Sequence, residues 1–236
     1  MKKLLKRPEL IGKKILFVMA HPDDESFLAA GTAYRNAMAG GTNFLICATS
    51  GEKGRSHLLA PVTESELKRI RKSELREVCN FLKVKRLIFL ELPDGGLKGK
   101  RPLLYKKVLE LASVLRPDYI LSFDRDGVSG HLDHITISSV SKQAAKKIRV
   151  SFVGCCAPPV LAKNFGKTLL LRRKFGKYSA AVEHVRPNLI IKIDPKVKMK
   201  ALGFHKSQLD QGNPFNNLGS HGRRQIMNYE YFRTYR

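Results

Sequence analysis

The 236-residue chain has no tryptophan, and aromatic residues make up only 8% of it. So low a content argues against a nucleic-acid-binding surface, and no helix-turn-helix, RRM or KH pattern is visible. Cysteine is scarce. Cys47, Cys79, Cys155 and Cys156 form no CxxC pair and no zinc-knuckle spacing; three lie in apolar strand-like runs and Cys79 on the helix-like stretch ELREVCNFL. All four are expected as buried free thiols. No apolar run approaches the ~20 residues of a membrane span. The opening MKKLLKRPELIGKK lacks a signal-peptide core and a small-residue cleavage site. The expectation is a cytoplasmic protein with no membrane span. Acidic residues are few: 20 Asp+Glu against 44 Lys+Arg give a formal net charge of +24, and residues 161–236 carry 16 basic and 4 acidic side chains. The lysines are scattered, so nucleic acid is not expected as a partner. A solvated basic surface is the plain reading of the surplus, and an anionic substrate the sharper one.

What is present is a core and a rhythm. Hydrophobic residues make up 43% of the chain, enough to bury a full core. Apolar, β-branched runs predict strands at 14–20, 43–49, 86–91, 118–123, 150–155 and 188–193. Amphipathic stretches predict helices at 25–39, 63–82, 101–115, 132–147 and 195–207. Strands alternating with helices give an α/β fold: a Rossmann-like, doubly wound, mostly parallel sheet with helices on both faces, a three-layer α/β/α sandwich. There is no internal repeat or low-complexity linker, so residues 1–236 are read as one domain. Residues 156–187 and 208–236 are less regular, and the part from 155 onward is expected to add elements around the mouth of the site.

In such a sheet, ligands bind beyond the carboxyl ends of the strands where strand order reverses. With strand order 3-2-1-4-5, strands 1 and 4 flank that point. Strand 1 runs straight into AHPDDE, and strand 4 is followed by DRDGVSGHLDH. Neither is the glycine-rich turn that cradles pyrophosphate, and three carboxylates would repel phosphate. A metal suits them better. His21 and Asp24 are three apart across a turn, as are His131 and His134 where a helix starts. Two imidazoles, one carboxylate and an open fourth position form the common catalytic zinc arrangement. The remaining Asp and His would serve as base and as acid or oxyanion stabiliser.

AHPDDE after the first strand, with GHLDH about 110 residues on, resembles the LmbE-like/PIG-L family of zinc-dependent N-acetylglucosaminyl deacetylases. ATSGEKG (48–54), RKSE (71–74), LPDGGL (92–97), HKSQ (205–208) and YEYF (229–232) fall in family order. One departure is Leu132, where the family usually has proline. The resemblance implies that His21, Asp24 and His134 ligate the metal and that Asp23 is the general base. It also implies that His131, protonated, stabilises the oxyanion, that Asp133 tunes His131, and that Glu52, Arg71 and Asp94 contact metal-side water or sugar hydroxyls. His205 and Gln208 are read as structural. The expected activity is removal of an acetyl group from an amino sugar or its conjugate, with zinc as cofactor; iron or another divalent ion can replace zinc in N/O sites. The rivals are a metal-dependent phosphoester hydrolase and a basic nucleic-acid-binding protein.

Overall fold

The computed structural model describes residues 10–158, 185–209 and 220–235. Seven strands form one sheet in the order β3-β2-β1-β4-β5-β7-β6. They are β1 (Lys14–Met19), β2 (Thr42–Cys47), β3 (Val84–Phe89), β4 (Tyr119–Phe123), β5 (Ser151–Cys155), β6 (Leu189–Lys192) and β7 (Tyr229–Tyr235). The first five are parallel, and β7 runs antiparallel to both β5 and β6. β1 reads as an unbroken apolar run because both its faces are covered: five of its six residues are buried. β3, an edge strand, exposes Lys85 and Arg86, which discourage pairing with another chain.

The helices are α1 (Asp24–Leu28), α2 (Ala30–Met38), α3 (Glu64–Phe81), α4 (Arg101–Leu115), α5 (a single turn, Gly127–Gly130), α6 (Leu132–Lys147), α7 (Pro195–Phe204) and α8 (Ser220–Asn228). The starts of α3 and α7 are written in local chemistry. Thr63 and Glu66 form a reciprocal capping box on α3. Asp194 caps α7 ahead of Pro195, accepting from Lys196 N at 2.8 Å.

The layered architecture is as expected, and the differences have physical causes. The stretch 25–39 is two helices, broken at Ala29 (φ −149°, ψ 11°). The break leaves the first amides of α2 open to Glu230 of β7, whose Oε1 accepts from Gly31 N at 3.0 Å and Oε2 from Thr32 N at 2.8 Å. Lys198 of α7 pairs with the same carboxylate at 3.3 Å, both side chains being buried. The stretch 195–207 stops at Phe204, turns at His205 (φ −82°, ψ 55°) and continues as a 3₁₀ turn, Lys206–Gln208. β7 and α8 were not anticipated. Residues 159–184 and 210–219, part of the region expected around the site mouth, lie outside the described residues. All four cysteines are buried and free.

Candidate functional site

The parallel strands β1 and β4 are paired, Phe17 opposite Leu121, so the segments leaving their carboxyl ends emerge side by side. After β1 the chain makes a tight turn in which Asp23 adopts φ 109°, ψ −27°, a region that costs an L-residue free energy. Surrounding groups hold it there. Asp23 N donates to Glu25 Oε2 at 3.2 Å, and Asp23 O accepts from Ser26 N and Phe27 N, both at 3.0 Å. After β4, Asp126 Oδ1 accepts from Val128 N at 2.9 Å, and Gly127 N donates to Asp124 O at 2.8 Å. This turn, which forces Val128 to φ 62°, sets His131 at the N-cap of α6 and His134 one turn later.

The structure brings His21, Asp24 and His134 together. His21 Nδ1 is 3.1 Å from His134 Nε2 and 3.5 Å from Asp24 Oδ2, and His134 Nε2 is 3.3 Å from Asp24 Oδ1. An ion with four tetrahedral ligands at ~2.0–2.1 Å separates them by about 3.3–3.4 Å, so these residues fit a divalent metal. The outer ring nitrogens explain how the inner ones face one another. His134 Nδ1 lies 3.0 Å from the carbonyl of Gly127, which can only accept. His21 Nε2 lies 3.2 Å from Asp94 Oδ1 and 3.4 Å from Asp133 Oδ2. With protons on the outer nitrogens, both inner nitrogens present lone pairs to the same point as the Asp24 carboxylate, as metal-binding imidazoles do. Phe123 stacks on the His134 ring at 4.0 Å between centroids and fixes its plane.

The electrostatics agree. Burial pulls the His21 imidazole down, but hydrogen bonds to Asp133, Asp24 and Asp94 outweigh it and hold its pKa well above the histidine range. The enclosure favours a positive charge. Burial raises Asp24, yet His134 and His21 overcome this and keep its carboxyl far below the usual range.

Asp23 is pushed the other way. Burial, opposed by Arg71 and reinforced by Asp24, takes its carboxyl up to about 6. His131 is pushed down to about 4 by burial and by His134 and His21, and a cation in the cluster would lower it further. Its Nδ1 accepts from Asp133 N at 3.2 Å, so the proton of the neutral ring sits on Nε2. This geometry favours the neutral ring, a donor at Nε2, over the protonated one expected for His131. The Asp133 carboxylate was expected to serve His131, and its field does raise that pKa. Its contacts, however, are with His21 and with the amides of Gly95 (2.7 Å) and Leu97 (3.1 Å).

The third group of expected residues lies around the rim and beneath it. Asp94 N donates to Glu52 Oε1 at 2.9 Å while Asp94 Oδ2 accepts from Lys53 N at 3.0 Å. Together these bonds lace the loops after β2 and β3. Asp94 also reaches His21, as above. Arg71 is not at the surface: it is 3% exposed, and it donates to Gly51 O at 2.7 Å, to Pro22 O, and to Asp23 Oδ2 at 3.1 Å. Gly51 (φ +67°) is needed there, because a Cβ would stand 2.2 Å from the guanidinium. Neither Glu74 nor Ser73 is among these partners; Glu74 binds Ser207 N and Oγ, each at 2.7 Å.

Sequence reasoning missed Glu25 and misplaced His205, which meet at 2.8 Å directly behind Asp23. One signal was available. Arg71 and Glu74 interrupt the buried face of α3 formed by Leu67, Leu75 and Val78, and charges on a core-facing stripe need partners.

Comparison with known proteins agrees with this geometry. A 1D-myo-inositol 2-acetamido-2-deoxy-alpha-D-glucopyranoside deacetylase from Acidothermus cellulolyticus is 28% identical, the match covering 88% of this chain and 85% of the relative. The chain spans only about half the length of several other curated relatives that it matches. Among solved structures, the N,N'-diacetylchitobiose deacetylase of Pyrococcus horikoshii has a TM-score of 0.66 at 22% identity, covering 94% of this chain and 84% of that one. The hydratase GalB from Pseudomonas putida has a TM-score of 0.67 at 17% identity, covering 94% and 95%. These two likenesses show the fold, which hosts more than one chemistry. The sequence model described as PIG-L, GlcNAc-PI de-N-acetylase, matches residues 16–145, more than half of the chain, and the chain belongs to the PIG-L family.

Proposed function

We propose that the chain is a zinc-dependent hydrolase that removes the acetyl group from an amino sugar or an N-acetylglucosamine conjugate. The observation that carries this reading is the triangle of His21, Asp24 and His134 donor atoms with the Asp23 carboxylate beside it. The activities named for the family and for the Acidothermus relative support the choice of bond. His21, Asp24 and His134 would hold the ion; iron or another divalent metal also suits these donors. Bound there, the ion supplies Lewis-acid polarisation of a carbonyl oxygen and a more acidic water.

The protein's own groups do the rest. Asp23, ionised at neutral pH yet basic for a carboxylate, takes the proton of the attacking water as its oxygen adds to the acetamide carbon. His131 donates from Nε2 to the oxygen that becomes negative. Asp23 then returns the proton to the nitrogen, the C–N bond breaks, and acetate and a free amine leave. Arg71 holds Asp23 ionised and in place. Asp94 and Asp133 hold the His21 ring. Glu52 and Asp94, in the loops that rim the site, are the proposed contacts for sugar hydroxyls. The formal charge of +24 supports a substrate whose attached group is anionic. The four free thiols support a reducing compartment, the cytoplasm.

The test is a screen of N-acetylated sugars and conjugates with detection of the released primary amine. Amine release from a glucosamine-type substrate, abolished by a chelator and restored by zinc, is the expected result. Release that ignores the chelator would overturn the metal reading. Phosphate release without amine would overturn the choice of bond.

A further inference from the structure

Behind Asp23 lies a pair of buried side chains that the mechanism above does not use. Glu25 is 4% exposed, and His205 is wholly buried. The Glu25 carboxylate gathers three donors: His205 Nε2 at 2.8 Å and Ser26 Oγ at 2.6 Å on one oxygen, and the backbone N–H of Asp23 at 3.2 Å on the other. That last peptide is the strained one, at φ 109°. A residue stays in such a conformation only when its surroundings over-determine it. Arg71 grips one side of the turn through Pro22 O and the Asp23 carboxylate. Glu25 grips the other side through the amide.

His205 comes from far along the chain, 180 residues beyond Glu25, and outside the stretch 16–145 that the family model matches. It is fixed independently of Glu25. Its backbone closes α7 by donating to Leu202 O at 3.0 Å, and two residues on Ser207 is clamped to Glu74 of α3. Glu74 is three residues from Arg71, so one face of one helix anchors both grips on the turn. Five buried side-chain polar atoms without a hydrogen-bond partner are found among the described residues, and two of them, His205 Nδ1 and Arg71 Nε, belong to this shell.

We infer that Glu25 and His205 are positioning residues: the pair holds the Asp23 peptide in its left-handed turn and thereby aims the Asp23 carboxylate at the bond to be cut. The inference rests on the reading of Asp23 as the base. His205 orients Glu25, and Glu25 orients the amide of Asp23.

Three variants test it. His205→Leu removes the donor, His205→Gln places an amide N–H near the position of Nε2, and Glu25→Gln leaves one good acceptor oxygen for three donors. With zinc content per chain unchanged, His205→Leu should lower kcat about 10- to 100-fold, the scale set by small misplacements of a reacting group. Its KM should stay within about twofold, and His205→Gln should recover most of the loss. In an Asp23→Asn background, His205→Leu should cost nothing more, because there is no base left to aim. A merely structural role predicts the same fractional loss in both backgrounds, and that result overturns the inference. The second readout needs no substrate. Hydrogen exchange at the Asp23 amide should quicken about tenfold or more in His205→Leu and in Glu25→Gln but stay slow in His205→Gln, since exchange follows local opening. Unchanged exchange in His205→Leu and Glu25→Gln overturns the inference even if no substrate is found. Failure of the wild type to release amine from any N-acetylated sugar would count against the proposed function alone.

Discussion

Replacing Arg71 with methionine tests whether this residue supports the Asp23 turn or contacts a sugar substrate. The unbranched methionine fills much of the space of the arginine stem but removes the charge and every donor. Arg71 is 3% exposed, and its guanidinium serves two backbone carbonyls and one carboxylate. Breaking a buried ion pair by removing one partner costs about 3–5 kcal/mol. For a chain of this size, each kcal/mol is worth about 2–4 °C in Tm, which brackets a fall of about 6–20 °C. Asp23 keeps 19% of its side chain exposed, so water relieves part of the cost, and the lower half of that bracket is expected. Arg71 is also the chief influence holding the Asp23 carboxyl down against burial. Its loss should move the acidic limb of kcat/KM to higher pH and lower kcat at neutral pH, with KM and metal content little changed. Thermal melting and a pH–rate profile measure both effects. A variant that melts within about 2 °C of the wild type and differs only in a raised KM would refute the reasoning, and would put the guanidinium on the substrate.

The purified protein should carry about one divalent ion per chain, and His21→Ala, Asp24→Ala and His134→Ala should each lose metal and activity together; full metal content in all three would remove the ligand assignment. Asp23→Asn should keep the metal while the rate falls ~10²–10⁴-fold. In the wild type kcat/KM should fall as pH drops through about 6, because Asp23 must be ionised, with a neighbouring cation moving that limb downward; an unaltered limb in the Asp23→Asn enzyme would exclude this residue as its source. Glu230→Ala should cost about 3–5 kcal/mol in urea unfolding, since it strands buried Lys198 and the Gly31 and Thr32 amides, and the folded fraction should retain wild-type turnover. If the substrate carries an anion, its kcat/KM should fall between about 20 and 300 mM salt while that of a neutral N-acetyl sugar stays level; equal slopes would reduce the +24 charge to solubility.

The parallel half of the fold was legible because its signal is local. β1, β2 and β4 are apolar runs covered on both faces, and α3 between β2 and β3 carries its own capping box. The same applies to the cluster of His21, Asp24 and His134, which sit in two short motifs at adjacent strand ends. The rest was hidden because it depends on pairings across the chain. β7 alternates tyrosine with charged and polar residues, YEYFRTY, and resembles no core strand. It is held by pairing antiparallel to β5 on one side and β6 on the other, an insertion that the order of strands along the chain does not announce. The resemblance implies Arg71 as a contact for metal-side water or sugar hydroxyls, and only the tertiary fold shows it beneath the turn. His205 sits on a helix-like stretch whose periodicity runs past the true helix end at Phe204, so its contact with Glu25 could not be read from helical spacing.

The place of β7 has a consequence for how the molecule is made. It is seventh in chain order but sits sixth across the sheet, between β5 and β6, so β6 has no ladder to join until residues 229–235 are available. Until then β5 presents an open edge of unpaired N–H and C=O groups, a surface prone to association with other chains. The contacts that close this end of the molecule span 111 residues for Tyr235 with Asp124 and 199 for Glu230 with Gly31. Closing such long loops adds little equilibrium cost, because the entropy grows only with the logarithm of length, but it slows the search for the native arrangement. The stretch from β1 to β5, which holds His21, Asp23, Asp24 and His134, can therefore assemble before the segment that carries His205 and β7. A parallel sheet with β5 as its frayed edge is the expected arrangement until the last strand slides into place.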